Sequence, residues 1–171
     1  MTLSSDLITV LAPLPVLIPL LAAAATLILG RQPRTQRYIA LTALVAVLAV
    51  SITLLALADE HGATAIQVGG WEAPIGITIV VDRLAAIMLV VSAIVLLAVM
   101  AYAVGQGIHD GSEAQPVSIF VPTYLALTAG ISYAFLAGDL FNLYVGFEVL
   151  LAASFVLLTL GSSADRVRAG V

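Results

Sequence analysis

Apolar residues along this chain gather in five long runs set apart by short polar breaks. The runs cover about Leu7–Leu29, Tyr38–Ala58, Arg83–Val104, Val117–Leu136 and Leu140–Leu160. At about 1.5 Å of rise per residue, each is long enough as a helix to cross a bilayer core of roughly 30 Å. The pattern predicts an all-α integral membrane protein of five transmembrane helices. Punctuation at the run ends agrees with this. Asp82 and Asp139 stand where N-caps of the third and fifth helices belong, and Asp59, Glu60, His61 and Gly62 close the second. Pro13, Pro15 and Pro19 predict an irregular first half for the first helix, which a membrane tolerates where neighbours satisfy the freed carbonyls.

One stretch, Gly62 to Val81, does not read as helix. Ile66-Gln67-Val68, then Gly69-Gly70, then Trp71-Glu72 fits two short strands about a Gly-Gly turn, with Ile77–Val80 as a further extended piece. The expectation is a short β-hairpin-like segment between the second and third helices, with Trp71 at the membrane interface. An irregular loop is the alternative.

Composition sharpens the class. Of 171 residues, 62% are hydrophobic and 9% charged, against about 25% charged in soluble domains. Cysteine is absent, which removes disulfides, thiolate metal sites and iron–sulfur ligation. The net charge of -4 argues against a nucleic-acid partner. The small residues at Ala22–Ala25 resemble a signal-peptide cleavage region, yet no Lys or Arg precedes the first run and its length exceeds a typical signal core. It reads as a span. Five of the six Arg (Arg31, Arg34, Arg37, Arg166 and Arg168) fall after the first and fifth runs, so those segments are expected inside and the Gly62–Val81 segment outside.

Candidate chemistry centres on Glu148. It is the only charged residue deep within an apolar run, about 12 Å along the axis from Leu140. A carboxylate at that depth costs at least ~2.5 kcal/mol on insertion scales. It persists by facing protein or water, by pairing with a cation, or by holding its proton. Each route makes the group responsive to protons or cations, and a proton-relay role follows. The bland alternative is a protonated Glu that hydrogen-bonds a neighbouring helix. Tyr144, one turn earlier, either donates towards Glu148 or simply packs, and Ala152 and Phe155 continue its stripe. Thr128 and Ser132 share one face of the fourth helix, suited to water or to another helix. His109, Asp110 and Glu113 are conceivable metal ligands, but a solvated loop accounts for them better. No catalytic group, cofactor site or metal site is expected.

Two stretches carry a family resemblance. VGGWEAPIGITIVVDRLAAIML (Val68–Leu89) and AGDLFNLYVGFEVLLAASFVLLTLG (Ala137–Gly161) resemble the first part of the D-type component of the Mrp-type multisubunit monovalent-cation/proton antiporter. That component is similar to the antiporter-like, proton-pumping subunits of respiratory complex I and membrane-bound hydrogenases. The resemblance implies that Glu148 matches the family's relay glutamate, which works beside a lysine on a later helix. It implies Na+ and protons as transported ions, other subunits and the lipid bilayer as partners, and a multi-pass location in the cell membrane. This sequence contains no Lys, so residues 1–171 are expected to be a single membrane domain, the N-terminal part of such a subunit. The alternatives are a pumping subunit of a quinone oxidoreductase or hydrogenase, and an assembly fragment without transport activity alone.

Overall fold

The computed structural model describes residues 2–29, 32–71, 75–106 and 119–160. Its elements in chain order are α1 (Thr2–Leu11), α2 (Leu14–Ile28), α3 (Pro33–His61), β1 (Thr64–Val68), β2 (Ile77–Val81), α4 (Arg83–Gly105), α5 (Phe120–Leu136) and α6 (Leu140–Thr159). The described residues are mainly helical with one small antiparallel sheet, in keeping with the fold class expected from the sequence. Among the described residues, four helical stretches are long and apolar enough to cross a membrane: Leu7–Ile28, Pro33–His61, Arg83–Gly105 and Leu140–Thr159. The described part of α5 has 17 residues, about 26 Å of helix, and lies among α2, α4 and α6.

Proline sets the shape of the first run. Pro13 has no N–H to donate, and the helix breaks there. Ala12 N still bonds Ile8 O at 2.9 Å, and Val16 N and Leu17 N both turn to Pro13 O, at 3.1 and 3.0 Å. Pro15 falls in the first turn of α2, where no N–H is needed, while Pro19 sits inside it and leaves one bond unmade. Pro33 likewise starts α3, which at 29 residues runs beyond both ends of the apolar pattern. Asp82 caps α4 by accepting from Ala85 N at 2.7 Å.

The hairpin differs from the sequence expectation in its pairing. β1 pairs with β2 in the register Thr64↔Val81 through Val68↔Ile77, so Trp71 belongs to the connection and not to a strand. Two short strands about Gly69-Gly70 would have left Ile77–Val80 unpaired. Instead both strands carry β-branched residues at alternate positions, and Ile66, Ile79 and Val81 are buried against Leu54, Ala58, Ala86, Leu89 and Leu136. Burying that shared face selects the longer hairpin. Gly69 and Gly70, at φ of 75° and 76°, turn the chain out of β1.

A second cluster, including Ala22, Ala40, Leu44, Leu96, Met100 and Leu125, fills the other end of the bundle. Here the Tyr124 hydroxyl donates to Leu96 O at 2.8 Å, and Gln36 Nε2 donates to Thr26 O at 2.8 Å, tying α5 to α4 and α3 to α2. Alanine is frequent in both clusters because lipid tails are as apolar as Leu. Helices in a membrane gain most by close backbone approach, which small residues permit.

Candidate functional site

The site is built on the α5–α6 hairpin. Gly130 and Gly146 bring its two helices together. A Cβ at Gly130 would lie 2.9 Å from Leu150 N, and one at Gly146 would lie 3.0 Å from Ala134 N. The contacts pair residue 130 with 150 and residue 134 with 146, so the helices run antiparallel. Asn142, Gly146 and Ala153 are the buried residues of α6 and mark the face turned to the bundle. At 100° per residue, Glu148 lies about 140° around the helix from the centre of that face.

Glu148 is accordingly exposed in this structure, and Tyr144 is 60% exposed. The two groups stand one turn apart on the same helix. Their face also carries Phe141 and Phe155, both outward. Glu148 sits about 12 Å into a helix about 30 Å long.

Thr128 and Ser132 are buried and face the bundle, on the other side of α6 from Glu148. Thr128 Oγ1 donates to Tyr124 O at 3.0 Å, a bond within its own helix. The structure does not bring this pair to the carboxyl group. His109, Asp110 and Glu113 lie outside the described residues, and among the described residues no group of three or more His, Cys, Asp or Glu could hold a metal ion.

A polar chain that the sequence pattern did not single out stands at the top of the same hairpin. Asp139 Oδ1 accepts from Asn142 N at 2.8 Å, and Oδ2 accepts from Asn142 Nδ2 at 2.5 Å. Asn142 Oδ1 in turn accepts the Tyr133 hydroxyl at 2.5 Å. Every donor points towards the carboxylate. These bonds, led by the Asn142 backbone N–H and then its carboxamide, hold the Asp139 carboxyl below the usual carboxylate range. The available signal was Asn142 itself, a polar side chain three residues into an apolar run after a capping Asp. Beside Tyr133, a mainly apolar groove of about 240 Å³ opens between Val16 and Leu20 of α2 and Val145 and Val149 of α6.

No family model matches the chain. It is 37% identical over 159 residues to the protein named "Putative antiporter subunit mnhD2" in Staphylococcus aureus strains JH9 and Newman, covering 92% of this chain and 31% of that protein. In structure it resembles a chain of the Mrp complex from Dietzia sp. DQ12-45-1b, with a TM-score of 0.84 and 28% identity, over 99% of this chain and 30% of that one. It also shares the fold of a chain of the membrane-bound sulfane sulfur reductase, an archaeal respiratory membrane complex. That match has a TM-score of 0.81 and 20% identity, over 93% of this chain and 32% of the other. The chain thus spans about a third of the length of the proteins it matches. It is homologous to an antiporter subunit and is a multi-pass membrane protein.

Proposed function

We propose that this chain is a membrane subunit of a multisubunit monovalent-cation (Na+)/proton antiporter, with Glu148 in a buried proton-translocation relay. Residues 1–171 would form a single membrane domain, the N-terminal part of such a subunit in the cell membrane. The observation that carries the reading is the position of Glu148, mid-span on the face of α6 turned away from the other described helices. Against lipid, a carboxylate there costs at least ~2.5 kcal/mol. The face therefore belongs against further protein or enclosed water.

In such a site the chemistry is reversible. A carboxyl group in dry surroundings holds its proton, and an approaching ammonium group drives the proton off. Motion of a cation towards and away from Glu148 would switch it between the two states. This chain has no Lys, so that cation is supplied by another part of the assembled protein. Tyr144 supports the relay by offering its hydroxyl to the carboxylate form. The named relatives, an antiporter subunit and a chain of the Mrp complex, support cation/proton exchange. On this reading the chain is a transporter subunit and performs no enzymatic step itself.

The test is cation-dependent proton flux in vesicles holding the assembled complex. Glu148→Gln keeps volume and hydrogen bonding but cannot titrate, so assembly survives and flux fails. Glu148→Asp keeps the acid on a shorter stem and retains part of the flux. Near-normal flux with Glu148→Gln at normal subunit level rejects the relay.

A further inference from the structure

We infer that Asp139 is a positioning residue, which clamps the β-hairpin to the head of α6 and thereby sets where Glu148 stands in the membrane. The inference rests on the relay reading of Glu148 for its consequence, though not for its geometry.

Two elements meet at this one carboxylate. It caps α6 through Asn142 N and holds the Asn142 carboxamide, and the backbone of Thr78 in β2 acts on it more weakly. Around it the fit is close. Gly138 N donates to Thr78 O at 2.9 Å, and Ile79 and Ala137 form an antiparallel bridge, so β2 continues onto the α5–α6 turn. A Cβ at Gly138 would meet Thr78 Cγ2 and Val80 Cγ2, both at 2.8 Å, so only glycine lets the strand seat. Through Asn142 the clamp also reaches Tyr133 on α5. Nothing in simple helix capping requires the contact with Thr78, and an Asp that only started α6 would not need the hairpin. Glu148 lies nine residues beyond Asp139 on a continuous helix, so the position and rotation of α6 at this clamp carry directly to the carboxyl group. Placement matters for a relay, since a shift of 1 Å in a reacting group can cost about a hundredfold in rate.

The experiment uses the assembled complex in vesicles. Asp139→Ser keeps a capping oxygen for α6 but cannot hold Thr78 and Asn142 together. Amide exchange in residues 77–81 and at Gly138 should rise about tenfold or more, with α4 and α5 unchanged. Flux per unit of protein should fall about tenfold. Ile79→Cys with Ala137→Cys, at bridged positions within disulfide reach, provides a tether in a chain that has no other cysteine. Oxidation of that pair in the Asp139→Ser background should return most of the flux, which a mere loss of folding would not allow. Unchanged exchange at Gly138 and β2 in Asp139→Ser overturns the clamp, as does full flux with a loosened hairpin. If Glu148→Gln retains flux, the relay falls, while the exchange result still decides whether Asp139 clamps the hairpin.

Discussion

Gly130 of α5 lies so close to Leu150 of α6 that a single added methyl would stand 2.9 Å from the Leu150 nitrogen. The atom in the way is backbone, which cannot swing aside as a side chain can. Gly146 is slightly less constrained, its added carbon meeting Ala134 at 3.0–3.2 Å.

These distances rank two substitutions. Removing a helix-interior glycine gains about 0.5–1 kcal/mol of backbone entropy, whereas overpacking a close contact costs about 1–3 kcal/mol. Gly130→Ala should destabilise the α5–α6 hairpin by about 1 kcal/mol or more, and Gly146→Ala should fall near zero. Unfolding midpoints in a fixed detergent check the order. A more stable Gly130→Ala protein would contradict the close approach.

Gln32 and Thr64 lie beyond opposite ends of α3, a helix of 29 residues, about 43 Å long. With the arginines holding the Gln32 end inside, cysteines introduced at the two positions should label from opposite sides of oriented vesicles. Labelling of both from one side would remove α3 as a span.

Trp71 is 66% exposed in the hairpin connection, at the end of the bundle that also carries the Arg83–Asp59 ion pair of 2.7 Å. Its fluorescence should respond to quenchers attached shallowly in the lipid more than to deep ones. Stronger quenching from the bilayer centre would place the hairpin elsewhere.

Asp139 predicts a pH dependence. Its folded carboxyl titrates below the ordinary value of 3.8, so the cap stabilises α6 above that value and the benefit is lost as pH falls through the folded value. Amide exchange at Asn142, corrected for intrinsic rate, should therefore be steady above about pH 5 and accelerate below about pH 4. Asp139→Asn should flatten that acid limb. An equal acceleration in both proteins would assign it to another carboxyl group.

The linear chain determined the elements whose physics is local. A run of some twenty apolar residues has few options other than a spanning helix, because its backbone groups must bond one another in lipid. Asp82 and Asp139 act at helix starts because their side chains reach only the next turn. Glu148 drew attention by its depth alone, which depends on counting residues. What needed tertiary structure was everything decided by a neighbour distant in sequence. β2 pairs with β1 because Ile66, Ile79 and Val81 share a buried face with Leu54 and Leu136, an advantage absent from either strand alone. The face of α6 that meets the bundle was set by where Gly130 and Gly146 let two backbones touch, which turned Glu148 outward and left Thr128 and Ser132 on the other side. Asn142 looked like one polar residue in an apolar run. Only folding gave its two amide ends separate partners, Asp139 and Tyr133, because the hairpin brings α5 back alongside the first turn of α6.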